Sequence, residues 1–310
     1  MTKLRVSVSP HIRSPKTTTA IMLDVLIALL PTAVAGTVIF GLRALAVVAA
    51  GVISAVLAEY VFCLASKREK TVGDLSAAVT GLLLGLNCPA NTPIWQVVLG
   101  SVFAIIFVKC VFGGIGQNFA NPAITARVFM LIAFSSMAGS AFPTVVDTQS
   151  SATPLAELAV GKTPKLLDMF FGLRGGAIGE VCILALLIGA AYLAIRRVIS
   201  LKTPLAFILT VFAVTFIITG FDIIETLAWV MSGGLVLAAF FMATDYSTTP
   251  VTGLGKLIFG IGAGLITVAI RELGSYPDGV SFAILLMNIV TPYIDRLTAR
   301  KPFGSGGAAK

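Results

Sequence analysis

Ile21-Met22-Leu23-Asp24-Val25-Leu26-Ile27-Ala28-Leu29-Leu30-Pro31-Thr32-Ala33-Val34-Ala35-Gly36-Thr37-Val38-Ile39-Phe40 carries one charge, Asp24, in an otherwise apolar run. A helix of that length is roughly 30 Å long, the thickness of a bilayer's hydrocarbon core. Nine stretches of similar character follow, at approximately 44–65, 73–87, 94–112, 121–140, 176–195, 204–220, 225–243, 256–272 and 279–295. The stretch at 73–87 is the weakest, because Gly73, Asp74 and Ser76 dilute its first half. The whole chain agrees: of 310 residues 57% are hydrophobic and only 12% charged, against about 25% charged in a soluble protein. The expected fold is an all-α polytopic membrane protein of about ten transmembrane helices. A basic N-terminus leads straight into the first span with no small-residue cleavage site, so no removable signal is expected.

The net charge of +8 is not a nucleic-acid signal, since the basic residues flank spans and face membrane lipid. They also orient the chain. With ten spans, fifteen Lys and Arg fall on the side of the N-terminus and five on the other. The positive-inside rule then places both termini in the cytoplasm of a cell membrane and the 141–175 loop outside it. Cys63, Cys88, Cys110 and Cys182 have no metal-ligand or disulfide spacing, and no metal is expected. His11 lies outside the spans.

The halves resemble each other loosely. Gly81–Pro93 (GLLLGLNCPANTP) parallels Ala238–Pro250 (AAFFMATDYSTTP), an apolar stretch ending in a polar break with proline. One span later come two glycine-containing polar hinges, 113–122 and 271–279. Five spans per half make the second copy enter from the opposite face, an inverted repeat with broken helices. The expected organisation is a cytoplasmic segment at 1–20, a first five-helix repeat at 21–140, an extracytoplasmic loop at 141–175, a second repeat at 176–296 and a cytoplasmic tail at 297–310.

Charges inside spans should face protein or water. Asp24, Glu59, Lys109 and Arg127 stand in this position. Asp24 and Lys109 can reach the interface, Lys109 by snorkelling. Glu59 and Arg127 lie deeper, as an internal ion pair or as part of an ion path. Gly113, Gly114, Gly116, Asn118 and Asn121 form a candidate hinge or ion path. Asp245 and Asp278, at the breaks of the second half, are candidate ligands for a hard cation or helix caps.

The loop carries Asp147-Thr148-Gln149-Ser150-Ser151-Ala152-Thr153-Pro154. A threonine hydroxyl can be esterified by the phosphate of FMN, which leaves the isoalloxazine ring free. Ser150, Ser151 and Ala152 leave room around Thr153, Asp147 can polarise the hydroxyl, and Pro154 is expected to keep Thr153 extended by blocking a helix. By itself such a tract reads more readily as an ordinary polar turn.

Several motifs occur together: Ser9-Pro10-His11 with Ile21–Val25, Val111-Phe112-Gly113-Gly114-Ile115-Gly116-Gln117-Asn118 with Asn121-Pro122-Ala123, Ser151-Ala152-Thr153-Pro154-Leu155, Ala243-Thr244-Asp245, Lys256–Gly260 and Tyr276–Ala283. In this order they resemble the family of D subunits of the Rnf ion-translocating ferredoxin:NAD⁺ oxidoreductase complex, related to the B subunit of the Na⁺-translocating NADH:quinone oxidoreductase. The resemblance covers almost the whole chain. It implies FMN esterified to Thr153, within a Ser-Gly-Ala-Thr type motif in which this chain has Ser151 for the glycine. It implies membrane and peripheral partner subunits, and Na⁺ or H⁺ as coupling ion. In some relatives it implies a second, non-covalent flavin, riboflavin, which no motif here locates. The expected function is a flavoprotein subunit that passes electrons between ferredoxin and NAD while an ion crosses the membrane. The alternative is a solute or ion transporter or channel without a redox group; a scaffold subunit is a third reading.

Overall fold

The structure, a computed structural model, describes residues 17–68, 71–134, 137, 141, 153–274 and 278–299. Among these residues every regular element is helical, and the one β-bridge joins Ala141 to Gly176.

Helix α1 (Thr18–Phe40) opens on Thr17, whose hydroxyl accepts from Ala20 N at 3.2 Å, and ends at Gly41. Gly41 takes φ 78°, a conformation glycine adopts without strain, and the chain turns directly into α2 (Leu42–Ala65). Next come α3 (Ser76–Leu86), α4 (Ile94–Phe103) and α5 (Pro122–Ala133). Helix α4 continues as a π-helical turn over Ala104–Cys110. Two short helices follow, α6 (Pro154–Ala159) and α7 (Leu166–Phe171). The remainder is α8 (Ile183–Ile195), α9 (Lys202–Ile218), α10 (Ile223–Met231), α11 (Leu235–Leu237, running into a π turn over Ala238–Met242), α12 (Gly253–Leu273) and α13 (Val280–Thr298).

Helices α1, α2, α12 and α13 are each long and apolar enough to cross a bilayer. The pair α10 and α11, bent by 65° at its break, makes a fifth candidate. Helices α3, α4, α5, α8 and α9 are shorter apolar helices. Many large apolar side chains on α1, α2 and α9 point outward, among them Val34, Val38, Ile53, Leu209 and Ile217. That inverts the soluble pattern and suits a lipid surround.

The core is built by close helix approach. Helix α2 packs on α3 and α4, α9 on α10 and α12, α1 on α8, and α5 on α13. The α2–α3 contact needs bare backbone: a Cβ on Gly51 would lie 2.7 Å from Gly81 O. Small residues at such crossings let apolar helices approach and gain dispersion energy where lipid offers no hydrophobic drive.

Three boundaries differ from expectation. The stretch at 73–87 is helical only over 76–86, after a 3₁₀ turn at Val72–Asp74. The stretch at 176–195 becomes helical only at Ile183. Before it, Ile178 N donates to Cys88 O at 3.1 Å and Gly179 N to Leu86 O at 2.7 Å, so this irregular buried segment completes its backbone bonds on the end of α3. The stretch at 225–243 is broken at Ser232-Gly233-Gly234.

Candidate functional site

Two polar regions are embedded in the apolar bundle. The first begins at Thr153, the N-cap of α6, with φ −72° and ψ 157°. Its hydroxyl accepts from Ala156 N at 3.2 Å and the residue is half-buried. The sequence reading has Pro154 blocking a helix; instead it occupies the first helical position of α6. There its missing N–H is no loss and its fixed φ suits the turn. The extended conformation of Thr153 therefore comes from its capping role. Asp147, Ser150, Ser151 and Ala152 lie outside the described residues.

Helix α6 rests on the bundle through Pro154, Leu155 and Leu158, all buried. Leu158 packs with Met169 of α7 and Ala228 of α10. Leu155 reaches the α10–α11 break at Gly233.

That break sits beside a buried charge network. Arg127 Nη2 of α5 lies 2.8 Å from both Glu180 Oε1 and Asp278 Oδ2. Its Nη1 donates to Asn87 Oδ1 at the end of α3. Arg271, near the end of α12, donates to Trp229 O and Ser232 O at 2.9 Å each, and its Nη2 is 3.7 Å from Asp278 Oδ1. Arg174 donates to Glu180 O at 2.7 Å and to Val181 O at 3.3 Å. Burial pushes the Arg174 guanidinium down to about 10, against the opposing pull of Glu180; it remains a cation at neutral pH. Two guanidiniums, Arg127 and Arg271, thus face the carboxylates of Glu180 and Asp278, and Arg174 holds the backbone beside Glu180.

The sequence alone singles out Asp278 at its break and Arg127 as a buried charge, but not with these partners. Neither Glu59 nor Arg127 pairs with the other. Glu180, Arg174 and Asn87 were missed. Glu180 carried a usable signal, a lone carboxylate within a stretch read as a span.

The second region is a cleft of about 100 Å³. Apolar walls come from Ile21 and Val25 of α1, Leu193 of α8 and Phe241. Polar groups come from Ser76, Thr80, Lys109, Asn118, Asn121 and Asp245. Asn121 caps α5, accepting from Ala123 N at 3.0 Å, while its Nδ2 donates to Met242 O at 3.3 Å. The side-chain oxygen of Asn118 is buried and has no partner among the described residues. Asp245 accepts from the hydroxyls of Ser247 at 3.0 Å and Thr248 at 3.1 Å. Loss of water raises its pKa above the usual aspartate value, and these hydroxyls partly offset that. Gly113, Gly114 and Gly116 hold φ of 121°, 100° and 84° in the loop before α5. Only Gly116 of the three lines the cleft.

Lys109 belongs to this region rather than to the interface expected by snorkelling. Its Nζ lies 2.6 Å from Glu59 Oε1 and 2.5 Å from Ser76 Oγ. Asp24 instead accepts from Tyr192 Oη at 2.9 Å and pairs with Arg196 at 3.2 Å. The structure thus brings Asn118, Asn121 and Asp245 to one cleft and sets Thr153 and Asp278 by the separate charge network.

The chain matches the NQR2, RnfD, RnfE family over residues 5–304. It is 49% identical to the D subunit of the Na⁺-translocating ferredoxin:NAD⁺ oxidoreductase complex of Acetobacterium woodii, covering 97% of this chain and 95% of that one. It is 39% identical to the D subunit of the proton-translocating ferredoxin:NAD⁺ oxidoreductase complex of Clostridium ljungdahlii, covering 97% and 96%. The D subunit of the ion-translocating oxidoreductase complex of Stutzerimonas stutzeri is 36% identical, with 94% and 93% covered.

Proposed function

Because the chain belongs to the NQR2, RnfD, RnfE family, we propose that it is the membrane flavoprotein subunit of an ion-translocating ferredoxin:NAD⁺ oxidoreductase complex. Relatives named as such subunits, matched over nearly their full length, support the complex. The observation that carries the flavin reading is Thr153: a half-buried residue with an extended backbone and an exposed cap hydroxyl, set on a short helix docked to the bundle. Esterification joins Thr153 Oγ to the FMN phosphorus, releasing the hydroxyl proton and the group the flavin donor carries on that phosphate. Bound there, FMN supplies one- and two-electron chemistry. The protein supplies a fixed anchor: Pro154 starts the helix, and Leu155 and Leu158 hold it down.

The cleft at Asn118 is our candidate place for the second, non-covalent flavin, riboflavin, that the resemblance implies in some relatives. Phe241, Ile21, Val25 and Leu193 offer apolar faces for a flat ring, and the unpartnered Asn118 carbonyl oxygen offers an acceptor for a ring N–H. Asp245 lines the same cleft and serves Na⁺ or H⁺.

The topology we favour has ten spans in two inverted five-helix repeats, both termini cytoplasmic and Thr153 extracytoplasmic. The packing supports it: α2 bridges α3 and α4 as α9 bridges α10 and α12, and α1–α8 and α5–α13 pair across the halves. The lysine and arginine asymmetry supports the orientation. The other members of the complex and membrane lipid are the expected partners. A transporter without a redox group would share the broken helices but leaves the family relationship unused.

The test is in-gel flavin fluorescence of the denatured protein, produced in a host able to attach flavin. Wild type should fluoresce and Thr153→Ala should not. Fluorescence retained in the variant would move the site elsewhere.

A further inference from the structure

Helix α6 is six residues long, too short to hold its own shape or direction. What it rests on therefore decides where Thr153 points. Leu155, two residues on, is seated against Gly233 in the break between α10 and α11. A Cβ on Gly233 would lie 2.9 Å from Leu155 Cδ1, 3.0 Å from Asp278 Oδ1 and 3.2 Å from Arg271 Nη2. All three groups meet where glycine leaves a notch. Gly233 holds φ 62°, so the notch is also a conformation that favours glycine.

The notch is held open by one side chain. The Arg271 side chain is 1% exposed, and its two terminal nitrogens take the carbonyls of Trp229 and Ser232, the last turn of α10 and the first residue of the break. At this helix end Trp229 O keeps only a long backbone bond from Ser232 N, 3.4 Å, and Arg271 adds a second donor to it. Asp278 faces the same guanidinium and also pairs with Arg127. Through Arg127 the contact runs on to Glu180 and to Asn87 at the end of α3.

We propose that Arg271 and Asp278 are positioning residues for the flavin-bearing segment: they shape the Gly233 notch that receives Leu155, and so fix the Thr153 oxygen and tie it to the buried charge network. The proposal rests on the reading that Thr153 carries FMN. It adds that two residues more than 100 positions away in sequence, without touching the flavin, set how well that threonine is flavinylated and what potential the attached flavin shows.

The test uses the full complex in membranes of a flavin-attaching host. Two quantities are read: the rate at which covalent flavin appears on this chain, and the midpoint potential of the flavin attached. Arg271→Gln should slow attachment by about 100-fold, the loss expected for a displacement of roughly 1 Å, and should shift the potential of the fraction that is attached. Arg271→Lys keeps the charge but reaches fewer carbonyls, and should recover part of both. Leu155→Ala should reproduce the loss, and the double variant Leu155→Ala/Arg271→Gln should be no worse than either single change. Leu158→Ala removes packing on Met169 and Ala228 instead, so its effect should multiply with that of Arg271→Gln. If Arg271→Gln does not assemble, Gly233→Ala decides: it fills the notch without removing any charged group, and it should slow attachment in the same way. Wild-type rate and potential in an assembled Arg271→Gln or Gly233→Ala complex would overturn the proposal, as would Leu155 and Arg271 losses that multiply. Wild-type protein without flavin on Thr153 would instead overturn the reading beneath it.

Discussion

Lys109 Nζ lies 2.6 Å from Glu59 Oε1, with side-chain exposures of 3% and 1%. Ser76 Oγ at 2.5 Å from the lysine and Thr71 Oγ1 at 2.7 Å from the glutamate complete the cluster. The pair joins α2 to the π turn at the end of α4, on the edge of the cleft. Burial makes it a conditional asset, since each charge is tolerable only while the other is present.

Lys109→Met should therefore strand Glu59 and destabilise the protein by roughly 3–5 kcal/mol. The double variant Lys109→Met/Glu59→Gln should recover most of that loss. Thermal unfolding of the purified protein in detergent checks both; a single variant as stable as wild type would remove the pair from the account of the fold.

Arg127 is the more exposed to failure, because it serves two carboxylates. Arg127→Met should leave Glu180 and Asp278 close together without their shared cation, with a loss of roughly 3–5 kcal/mol or more. Adding Glu180→Gln should restore part of it. The measurement is again the unfolding temperature, together with the yield of assembled complex.

Asn121 both caps α5 and reaches Met242 O in the other half of the chain. Asn121→Ala should cost about 1 kcal/mol for the lost cap together with the bond to Met242, and Asn121→Ser, which keeps a cap acceptor but loses the donor to Met242, should cost less. Comparing the two Tm values separates capping from the cross-chain bond.

Asp245 gives a dependence on pH with a definite sign. Its pKa is raised in the folded state, so the native protein holds that proton more tightly than the unfolded chain. Stability should fall as pH rises from the ordinary aspartate value through the raised one. Asp245→Asn should flatten this part of the profile of unfolding temperature against pH. If Asp245 also serves the coupling ion, the variant should lose ion transport while keeping covalent flavin.

The membrane class is legible in residues such as those of 21–40, because hydropathy is a local property and one helix length suffices to display it. The helix ends are less so. Gly176–Cys182 reads as the start of a span, yet its backbone pairs with Leu86 and Cys88, a choice made by residues some 90 positions away. Pro154 reads as a block to helix and is instead a helix start, since proline's effect depends on whether it falls at the first position or later. Thr153 is legible through its loop motif, and Asp245 and Asp278 through their places at the breaks of the second half. The partners of Arg127 were not, because Asn87, Glu180 and Asp278 are 40, 53 and 151 residues from it. No local pattern encodes such a meeting; only packing of α3, α5, the irregular 176–182 segment and the start of α13 brings it about.

The π turn over Ala104–Cys110 bears on how this chain tolerates shortening. A π turn holds one more residue than the α-helical turn it replaces. Deleting a single residue there would let the helix close into regular form with little backbone strain. The same deletion made in the regular turns of α4 has no wide turn to absorb it, and would rotate everything beyond it by about 100° around the helix axis, swinging Lys109 away from Glu59. That second deletion would thus be felt as an unpaired carboxylate on the neighbouring helix.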